Sequence, residues 1–379
     1  MLEHYISVGQ QRLRCGYTTG TCAAGAARAA AEALLRGDFP AQVRVETPAG
    51  IPVLLEPEDM RRGPDWASCG IRKDGGDDCD VTNGALVVAT VRRTETDIRI
   101  DGGQGVGRVT RPGLNQPVGA AAINSGPRQM IGAQLRQALD EAGDPGGLEA
   151  VISVPEGSLL AAKTFNPRLG IEGGISILGS TGIVRPMSRQ ALVDTTRVEL
   201  EVHRAEGVAD LLMTPGNYGA DFAAHQLGLD MGRAVQCSNF IGDALDNAVN
   251  LGFSSLLLVG HIGKLCKLAA GVMDTHSRTA DCRREVFVTH AALCGGTTPL
   301  LKQLYEAVTT DAALELLLRE GLAEAVLDSI ARAVGQTLRR RTGAMNTQAI
   351  LFSQATGLSA MTDGAAELLE KHRAAKPEI

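Results

Sequence analysis

The 379-residue sequence has few aromatic residues and no long apolar run. Aromatic side chains make up 3% of the chain, so its core must come from Ala, Leu, Val and Ile. No run is long and apolar enough to cross a bilayer. The first residues, MLEHYISVGQQRLR, lack the basic-then-apolar order of a signal peptide. These absences predict a protein that neither spans a membrane nor is exported.

Charge and cysteine usage exclude further classes. The formal net charge is −6, and no basic block is present, which argues against nucleic acid as the main partner. Eight cysteines are scattered without a CxxC pair, so neither a zinc site nor any other metal site is predicted. In a chain without a signal peptide, they predict reduced and mostly buried thiols in the cytoplasm.

Length and patterning predict two domains, since one domain usually takes roughly 100–200 residues. Residues 1–145 combine two helical patterns with hairpin and strand patterns, which predicts an α+β domain. The first helix is expected to have its N-cap at Thr19 or Thr21 and to stop at Gly37, and QVRVET and IPVLLEP are expected to form a hairpin around the turn PAG. From residue 146 to 379, strands alternate with helices that end at glycine, and a helical tail follows. This order is typical of a mostly parallel, Rossmann-like α/β sheet. Segments AVISVP and GISILGS are expected to be its first strands.

In open α/β sheets, ligands bind outside the carboxyl ends of the strands. The loops that should meet there are GSTG, TPGNYG, SNFIGD and GHIGK, at 179–182, 214–219, 238–243 and 260–264. In the last of them, Lys264 and Lys267 are three residues apart and share a helix face. They predict either contact with an anionic ligand or a solvated surface. The loop is too short for a phosphate loop, and Leu265 replaces the magnesium-binding hydroxyl, which excludes NTP hydrolysis there.

Other motifs leave a functional and a structural interpretation open. In THSRTAD, His276 and Ser277 are adjacent and cannot form a Ser/His/Asp triad, so a helix cap is the alternative. The glycine-dense DGGQGVGRV at 101–109 predicts either turns or a backbone loop close to a flat ligand. RKDGGDDCD at 72–80 resembles the start of a calcium loop without its closing Glu, so weak cation binding is one interpretation and a solvated turn, the more common case, is the other.

The loop at Gly179–Gly182 carries the strongest local signal. Hydroxyls and backbone N–H groups of Ser180 and Thr181 could hold a ribose or a carboxylate, and Arg168 and Arg185 bracket the loop. A glycine turn with surface arginines is the alternative. Composition and spacing thus predict a cytoplasmic α/β protein whose mildly basic, glycine-lined rim binds an anionic small molecule. They do not identify the reaction.

Several long motifs resemble those of the cobalt-precorrin-5B C1-methyltransferases of anaerobic cobalamin biosynthesis. The resemblance runs from about Leu13 to Leu293 and fades in the C-terminal helices. Two departures are Cys79 and Asn83, which stand where the family usually has Pro and His. The matching segments are LRCGYTTGTCAA, RKDGGDDCDVTNGA, DGGQGVGRVTRPGL, AINSGPRQMI, TFNPRLGIEGGISILGSTGIVRPMS, TPGNYG, SNFIGDALDNA and GFSSLLLVGHIGKLCKLAAGVMDTHSRTAD.

The resemblance implies transfer of a methyl group from S-adenosylmethionine to C-1 of a cobalt-bearing tetrapyrrole, giving cobalt-precorrin-6A. Such a substrate is a large disc edged with carboxylates, which a basic rim would bind. The expected contacts to the substrate are Lys264, Lys267, Arg278, Arg168, Arg185, Gly103 and Gly105. The expected contacts to the methyl donor are Gly179, Ser180, Thr181, Gly182, Asn217 and Asp243. Groups expected to move a proton, where one is needed, are His261, His276 and Asp281.

Two other functions fit the same sequence. A carrier would bind the corrinoid intermediate and pass it on without chemistry. A nucleotide-dependent transferase would use the glycine rim for ATP, although no phosphate loop is present. Expected partners are the tetrapyrrole, further copies of the chain in a homo-oligomer, and transiently other enzymes of the pathway.

Overall fold

The computed structural model describes residues 2–373 and divides the chain into two compact units, one ending at Gln190 and the other beginning at Ala191. The first unit has an α+β fold. Its helices are α1 (Thr19–Arg36), α2 (Ser125–Ala142) and α3 (Gly157–Ala161). Its strands are β1 (Tyr5–Val8), β2 (Gln11–Arg14), β3 (Gly16–Tyr17), β4 (Val43–Glu46), β5 (Pro52–Leu55), β6 (Pro57–Arg62), β7 (Trp66–Arg72), β8 (Leu86–Thr94), β9 (Ile98–Gly102), β10 (Arg108–Val109), β11 (Gly147–Ser153), β12 (Ile171–Glu172) and β13 (Ile183–Val184).

A five-stranded sheet in the order β6-β7-β8-β11-β9 forms the centre of the first unit. Helix α1 packs on β7 and β8, and α2 packs on α1. The many buried alanines of α1 let these neighbours approach closely. Sequence patterning correctly predicted α1, its end at Gly37 and the β4–β5 hairpin. The N-cap is Thr18, however, whose hydroxyl accepts from the Thr21 N–H at 3.2 Å, and neither Thr19 nor Thr21.

The division into units falls later than the expected boundary between residues 145 and 146. Strand β11, expected to open the α/β domain, instead pairs antiparallel with β8 and parallel with β9. The segment ISIL is also part of the first unit, where Ile175 and Ile177 form isolated bridges rather than a strand. An apolar run predicts extended structure in both cases, but it does not specify which strand will be its partner.

The second unit contains the parallel sheet. Its strands are β14 (Asp210–Thr214), β15 (Val235–Gln236), β16 (Ser255–His261), β17 (Asn346–Phe352) and β18 (Ser359–Met361). Its helices are α4 (Arg189–Ala205), which starts at the junction, α5 (Asn217–His225), α6 (Ile241–Asn250), α7 (Ile262–Ala269), α8 (Arg283–Leu293), α9 (Thr298–Glu306), α10 (Thr310–Arg319), α11 (Ala323–Thr342) and α12 (Ala365–Lys371). A short 3₁₀ turn spans Met231–Arg233.

Strands β15, β14, β16 and β17 are parallel in that order, and β18 closes one edge antiparallel. Both faces of the sheet are buried, which explains the unbroken apolar run of β16. Leu256 and Leu258 pack into the core that includes α6, α7 and α11, whereas Leu257 and Val259 pack into the core that includes α5 and α12. The predicted alternation of strands and helices is therefore confirmed in this unit.

Candidate functional site

The loops after β14 and β16 leave the sheet at its carboxyl edge and border a cavity of about 900 Å³. We call this cavity the carboxyl-edge pocket. Sequence analysis placed a ligand at this edge, and the parallel pairing of β14, β15 and β16 confirms that three of the four expected loops leave there. The pocket is lined by Pro215, Gly216, Asn217, Tyr218, Gly219, His261, Gly263, Lys264, Arg283, Thr309, Thr310, Asp311, Gln354 and Ala355.

Three helices begin at the carboxyl-edge pocket. The first turns of α5, α7 and α10 all contribute lining residues. The first N–H groups of a helix lack partners within the helix, and its macrodipole gives this end a partial positive charge. The pocket is therefore suited to a ligand that carries negative charge or hydrogen-bond acceptors.

Lys264 adds a full positive charge to the pocket. It lies in the first turn of α7, is half-buried, and donates a hydrogen bond from Nζ to the Pro215 carbonyl at 2.8 Å. Burial lowers the pKa of Lys264 from its usual value. Burial also raises the pKa of the nearby Cys237 thiol to about 12, so this group stays neutral and leaves the lysine charge uncompensated.

His261 is fixed by hydrogen bonding at the start of α7. Its Nδ1 accepts the Gly263 N–H at 3.1 Å, which places the proton of the neutral ring on Nε2. Nε2 lies 3.7 Å from Oδ1 of Asp311, and the same oxygen accepts the Ser353 hydroxyl at 2.6 Å. Because its lone pair is engaged, neutral His261 offers the pocket an N–H donor rather than a base.

Gly219 lets α5 lie directly against the sheet. A Cβ at this position would come 2.6 Å from the carbonyl oxygen of Val259 in β16. Any larger residue would push the first turn of α5 away from the strand. Gly219 therefore positions Asn217 and Tyr218, the two residues just before it, at the pocket. The side-chain oxygen of Asn217 also accepts from Gln236 at 3.3 Å.

Lys267 was expected to contact the substrate, but the structure buries it. Only 2% of the residue is exposed, and its Nζ donates to the carbonyls of Thr275 at 3.1 Å and Ala280 at 2.8 Å. The spacing of Lys264 and Lys267 did not predict this, because the part of α7 that carries Lys267 faces the core. Lys267 instead holds the loop at 272–281, the segment that carries the DTHSRTAD motif.

The loop at 272–281 is tied to the loop that follows β15. The Thr275 N–H donates to the Asn239 carbonyl at 3.0 Å, and the Gly242 N–H donates to Met273 at 3.2 Å. Ser238, in the loop after β15, has a left-handed backbone with φ +54°, which is rare for a residue with a side chain. The two motifs thus form one ordered surface at the carboxyl edge of the sheet.

Three expected site residues, His276, Arg278 and Asp281, belong to the 272–281 loop. None of them is among the residues that line the carboxyl-edge pocket within 2–373. His276 and Arg278 are exposed, and Nδ1 of His276 accepts the Arg278 N–H at 3.0 Å. Hydrogen bonds from Arg283 lower the pKa of Asp281 to about 2, which makes this carboxylate a very weak base.

Other expected site residues form part of the backbone of the first unit. Gly105 has φ +72° and packs against Val154 and Gly157, so it serves a tight turn, and Gly103 packs against Ser153. The backbone carbonyl of Arg168 accepts a hydrogen bond from Arg111 at 2.7 Å. Arg185 is exposed.

The loop at Gly179–Gly182 also lies in the first unit. Its carbonyl at Gly182 accepts from the Thr21 hydroxyl at 2.7 Å, and the Thr181 hydroxyl donates to Ile183 at 3.1 Å. Ser180 is exposed. The expected donor-binding residues are therefore divided between the units, because Asn217 and Asp243 belong to the second. Asp243 lies in the first turn of α6 and is not among the lining residues of the carboxyl-edge pocket.

The acidic loop at 72–80 is held by internal partners. Arg14 binds Asp74 through both terminal nitrogens, at 2.6 and 2.8 Å, and buried Lys73 binds Asp80 at 2.6 Å. The Asn83 side chain accepts the Gly75 N–H at 2.8 Å. Among residues 2–373, no group of three or more His, Cys, Asp or Glu side chains is arranged to hold a metal ion. Ion pairs and hydrogen bonds within the first unit thus engage Asp74, Asp80 and Asn83.

Tyr218 and Asp311 are two of the pocket residues that sequence reasoning did not assign to a site. Tyr218 lies within a motif that was singled out, and the residue is 72% exposed. Asp311 is the single carboxylate among the lining residues. It follows β16 by about 50 residues, and no local pattern indicates that α10 begins beside α7.

The fold and the pocket together define an α/β protein with a lysine-lined cavity at the carboxyl edge of a parallel sheet. None of the helices within 2–373 is long and apolar enough to span a bilayer. The CbiD family profile matches residues 6–186, and the profile described as "CbiD, C-terminal domain" matches 274–363. The chain belongs to the CbiD family.

Relatives of known name cover most of this chain. A protein of Ruminiclostridium cellulolyticum is 48% identical over 87% of this chain and 86% of its own length. One of Alkaliphilus metalliredigens is 41% identical over 97% of both chains. Each is named cobalt-precorrin-5B C(1)-methyltransferase. Among solved structures, cobalamin biosynthesis protein (cbiD) from Archaeoglobus fulgidus matches 73% of this chain and 86% of its own, with 30% identity and a TM-score of 0.39.

Proposed function

We propose that this chain transfers a methyl group from S-adenosylmethionine to C-1 of cobalt-precorrin-5B and so produces cobalt-precorrin-6A. Membership of the CbiD family and the names of its relatives support the reaction. The observation that carries the proposal is the carboxyl-edge pocket, where Lys264 and the first turns of three helices meet. An anionic or zwitterionic small molecule suits such a site.

The pocket fits the methyl donor in size and in chemistry. Its volume of about 900 Å³ falls within the range of roughly 300–1,000 Å³ usual for small-molecule sites. The strand order also supports binding of the donor in this pocket. The chain places β15 on one side of β14 and β16 on the other, so the strand order reverses at β14. Open Rossmann-like sheets bind ligands in the crevice at such a reversal of strand order.

The donor supplies an already activated methyl group, so the protein's task is mainly to position the reactants and exclude water. Lys264 holds a negative group of a reactant, and Nε2–H of His261 donates a hydrogen bond into the pocket. The engaged lone pair of His261 and the low pKa of Asp281 make both poor proton acceptors. The Nδ1 of His276 likewise accepts the Arg278 N–H, so none of the three expected groups is assigned as a base.

The macrocycle requires cations outside the pocket, because its rim is edged with carboxylates. Arg278 is exposed on the ordered 272–281 loop at the carboxyl edge and suits this role. The expected contacts from Arg168 and Arg185, which belong to the first unit, stay predictions. Lys267 is omitted, since its ammonium group is buried and already bound to two carbonyls. We place the reaction in the cytoplasm, where the eight free thiols would stay reduced.

The test is an anaerobic assay with cobalt-precorrin-5B and methyl-labelled S-adenosylmethionine. We expect label in the corrinoid product, and a large loss of transfer in Lys264→Met and Arg278→Ala. Lys302→Met, a change on the exposed face of α9, is the matched control and should keep full activity. Tight corrinoid binding without transfer of label would refute the enzyme and favour the carrier. Transfer that depends on ATP and Mg²⁺ would favour the nucleotide-dependent transferase instead.

A further inference from the structure

We propose that the carboxyl-edge pocket binds the methyl donor in one orientation, with Tyr218 stacked on the purine, Asp311 accepting the ribose hydroxyls and Lys264 binding the amino-acid carboxylate. The inference rests on the proposed function, because it assumes that S-adenosylmethionine is the donor. It assigns ligand-binding roles to Tyr218 and Asp311, and it gives Lys264 to the donor rather than to the macrocycle.

Tyr218 presents a bare aromatic ring to the pocket. The residue is 72% exposed, although the chain has only 4 tyrosines and its core buries most large apolar side chains. It lies in the first turn of α5, which Gly219 holds against β16. An exposed ring fixed in a small-molecule cavity is suited to stack on a flat heteroaromatic group such as a purine.

Asp311 is held in place with one oxygen left for a ligand. Its Oδ1 accepts the Ser353 hydroxyl at 2.6 Å and lies 3.7 Å from His261. Its Oδ2 has no hydrogen-bond partner among residues 2–373. Asp311 could serve only to stabilise α10, because a negative charge in the first turn of a helix interacts favourably with the helix dipole. That role would not require the hydrogen bond from Ser353, which fixes the carboxylate in one orientation. A fixed carboxylate is the group that binds ribose hydroxyls at the edge of other α/β sheets.

Lys264 offers the complementary group for a carboxylate. One of its three N–H donors is bound to Pro215, which aims the ammonium group and leaves two donors for a ligand. The side chain is half-buried and faces the same cavity as Tyr218 and Asp311. A purine nucleoside that carries an amino acid satisfies all three groups at once.

Tyr218, Asp311 and Lys264 together make the macrocycle a poor ligand for the carboxyl-edge pocket. Its rim offers carboxylates but no diol, so Asp311 would repel it at short range. It also offers no purine for Tyr218. The macrocycle therefore belongs outside the pocket, beside the exposed Arg278.

Isothermal titration with S-adenosylhomocysteine and with 5′-methylthioadenosine, which lacks the amino acid, tests the orientation without any corrinoid. Tyr218→Ala should weaken both ligands about 5- to 150-fold, and Tyr218→Phe should restore most of the loss. Lys264→Met should weaken S-adenosylhomocysteine about 10- to 150-fold but leave 5′-methylthioadenosine nearly unchanged. Asp311→Asn should weaken adenosine but not 2′,3′-dideoxyadenosine.

Tyr305→Ala is the matched control, because Tyr305 is also exposed, at 53%, and lies on α9 outside the pocket. Its affinities should equal those of the parent, and circular dichroism of each variant checks that it folds. Unchanged affinity in Tyr218→Ala and Lys264→Met would overturn the inference, as would a parent protein that binds neither ligand. Binding that follows the expected pattern in a protein that transfers no methyl group would refute the proposed reaction and leave this inference standing.

Discussion

Replacing Gly219 with alanine tests the close packing of α5 on the sheet. The added methyl group would lie 2.6 Å from the Val259 carbonyl oxygen, which is backbone and cannot turn aside. Forced overpacking costs about 1–3 kcal/mol, whereas Gly to Ala within a helix gains about 0.5–1 kcal/mol. We therefore expect a net loss of about 1 kcal/mol in the free energy of unfolding. For a unit of this size, that lowers the melting temperature by about 2–4 °C.

Gly132→Ala is the matched control in the first unit. Gly132 lies inside α2, and the nearest atom to an added Cβ is Ile100 Cδ1 at 4.0 Å, which is ordinary contact. Without a clash, only the gain of about 0.5–1 kcal/mol in helix propensity remains, so this variant should be more stable than the parent.

Urea unfolding measures both variants. Far-UV circular dichroism follows the whole chain, and the single tryptophan, Trp66, reports on the first unit. The Gly219→Ala midpoint by circular dichroism should fall, and the Gly132→Ala midpoint by fluorescence should rise. If Gly219→Ala were as stable as the parent, the claim that this glycine permits the approach of α5 to β16 would be refuted.

Three further predictions follow from buried or paired groups. Lys267→Met should loosen the 272–281 loop and speed its proteolysis and amide exchange several-fold, whereas Lys302→Met should not; equal protection in both would contradict the anchoring role. Hydrogen bonds from Arg14 lower the pKa of Asp74 below its usual value of 3.8. The ion pair therefore stabilises the folded state at pH values above 3.8, and this contribution is lost as the pH falls through the lower pKa of the folded state. Asp74→Asn should thus lower the urea midpoint at pH 7 and bring parent and variant closer at acid pH. Cys79, the exposed cysteine, should react first with a thiol reagent at pH 8, and Cys237, whose pKa is about 12, should stay protected until unfolding.

The site was predictable from sequence where it depends on local order along the chain. The rule that ligands bind at the carboxyl ends of parallel strands placed Asn217, His261 and Lys264 at one edge, and all three line the pocket. Burial of Lys267 was not predictable, because helical spacing gives the relative directions of two side chains and not which direction faces the core. Only the packing of α7 in the second unit fixes that.

The sequence by itself determined the family, the positions of most helices and strands and the edge of the sheet where the pocket lies, because these follow from periodicity, turn residues and long motifs. Tertiary structure decided which strands pair, so β11 and the 179–182 loop belong to the first unit rather than to the parallel sheet. It also brought Asp311 to Lys264 across nearly 50 residues of chain. Local patterns encode which faces are apolar, whereas contacts between distant segments depend on how all those faces are buried together.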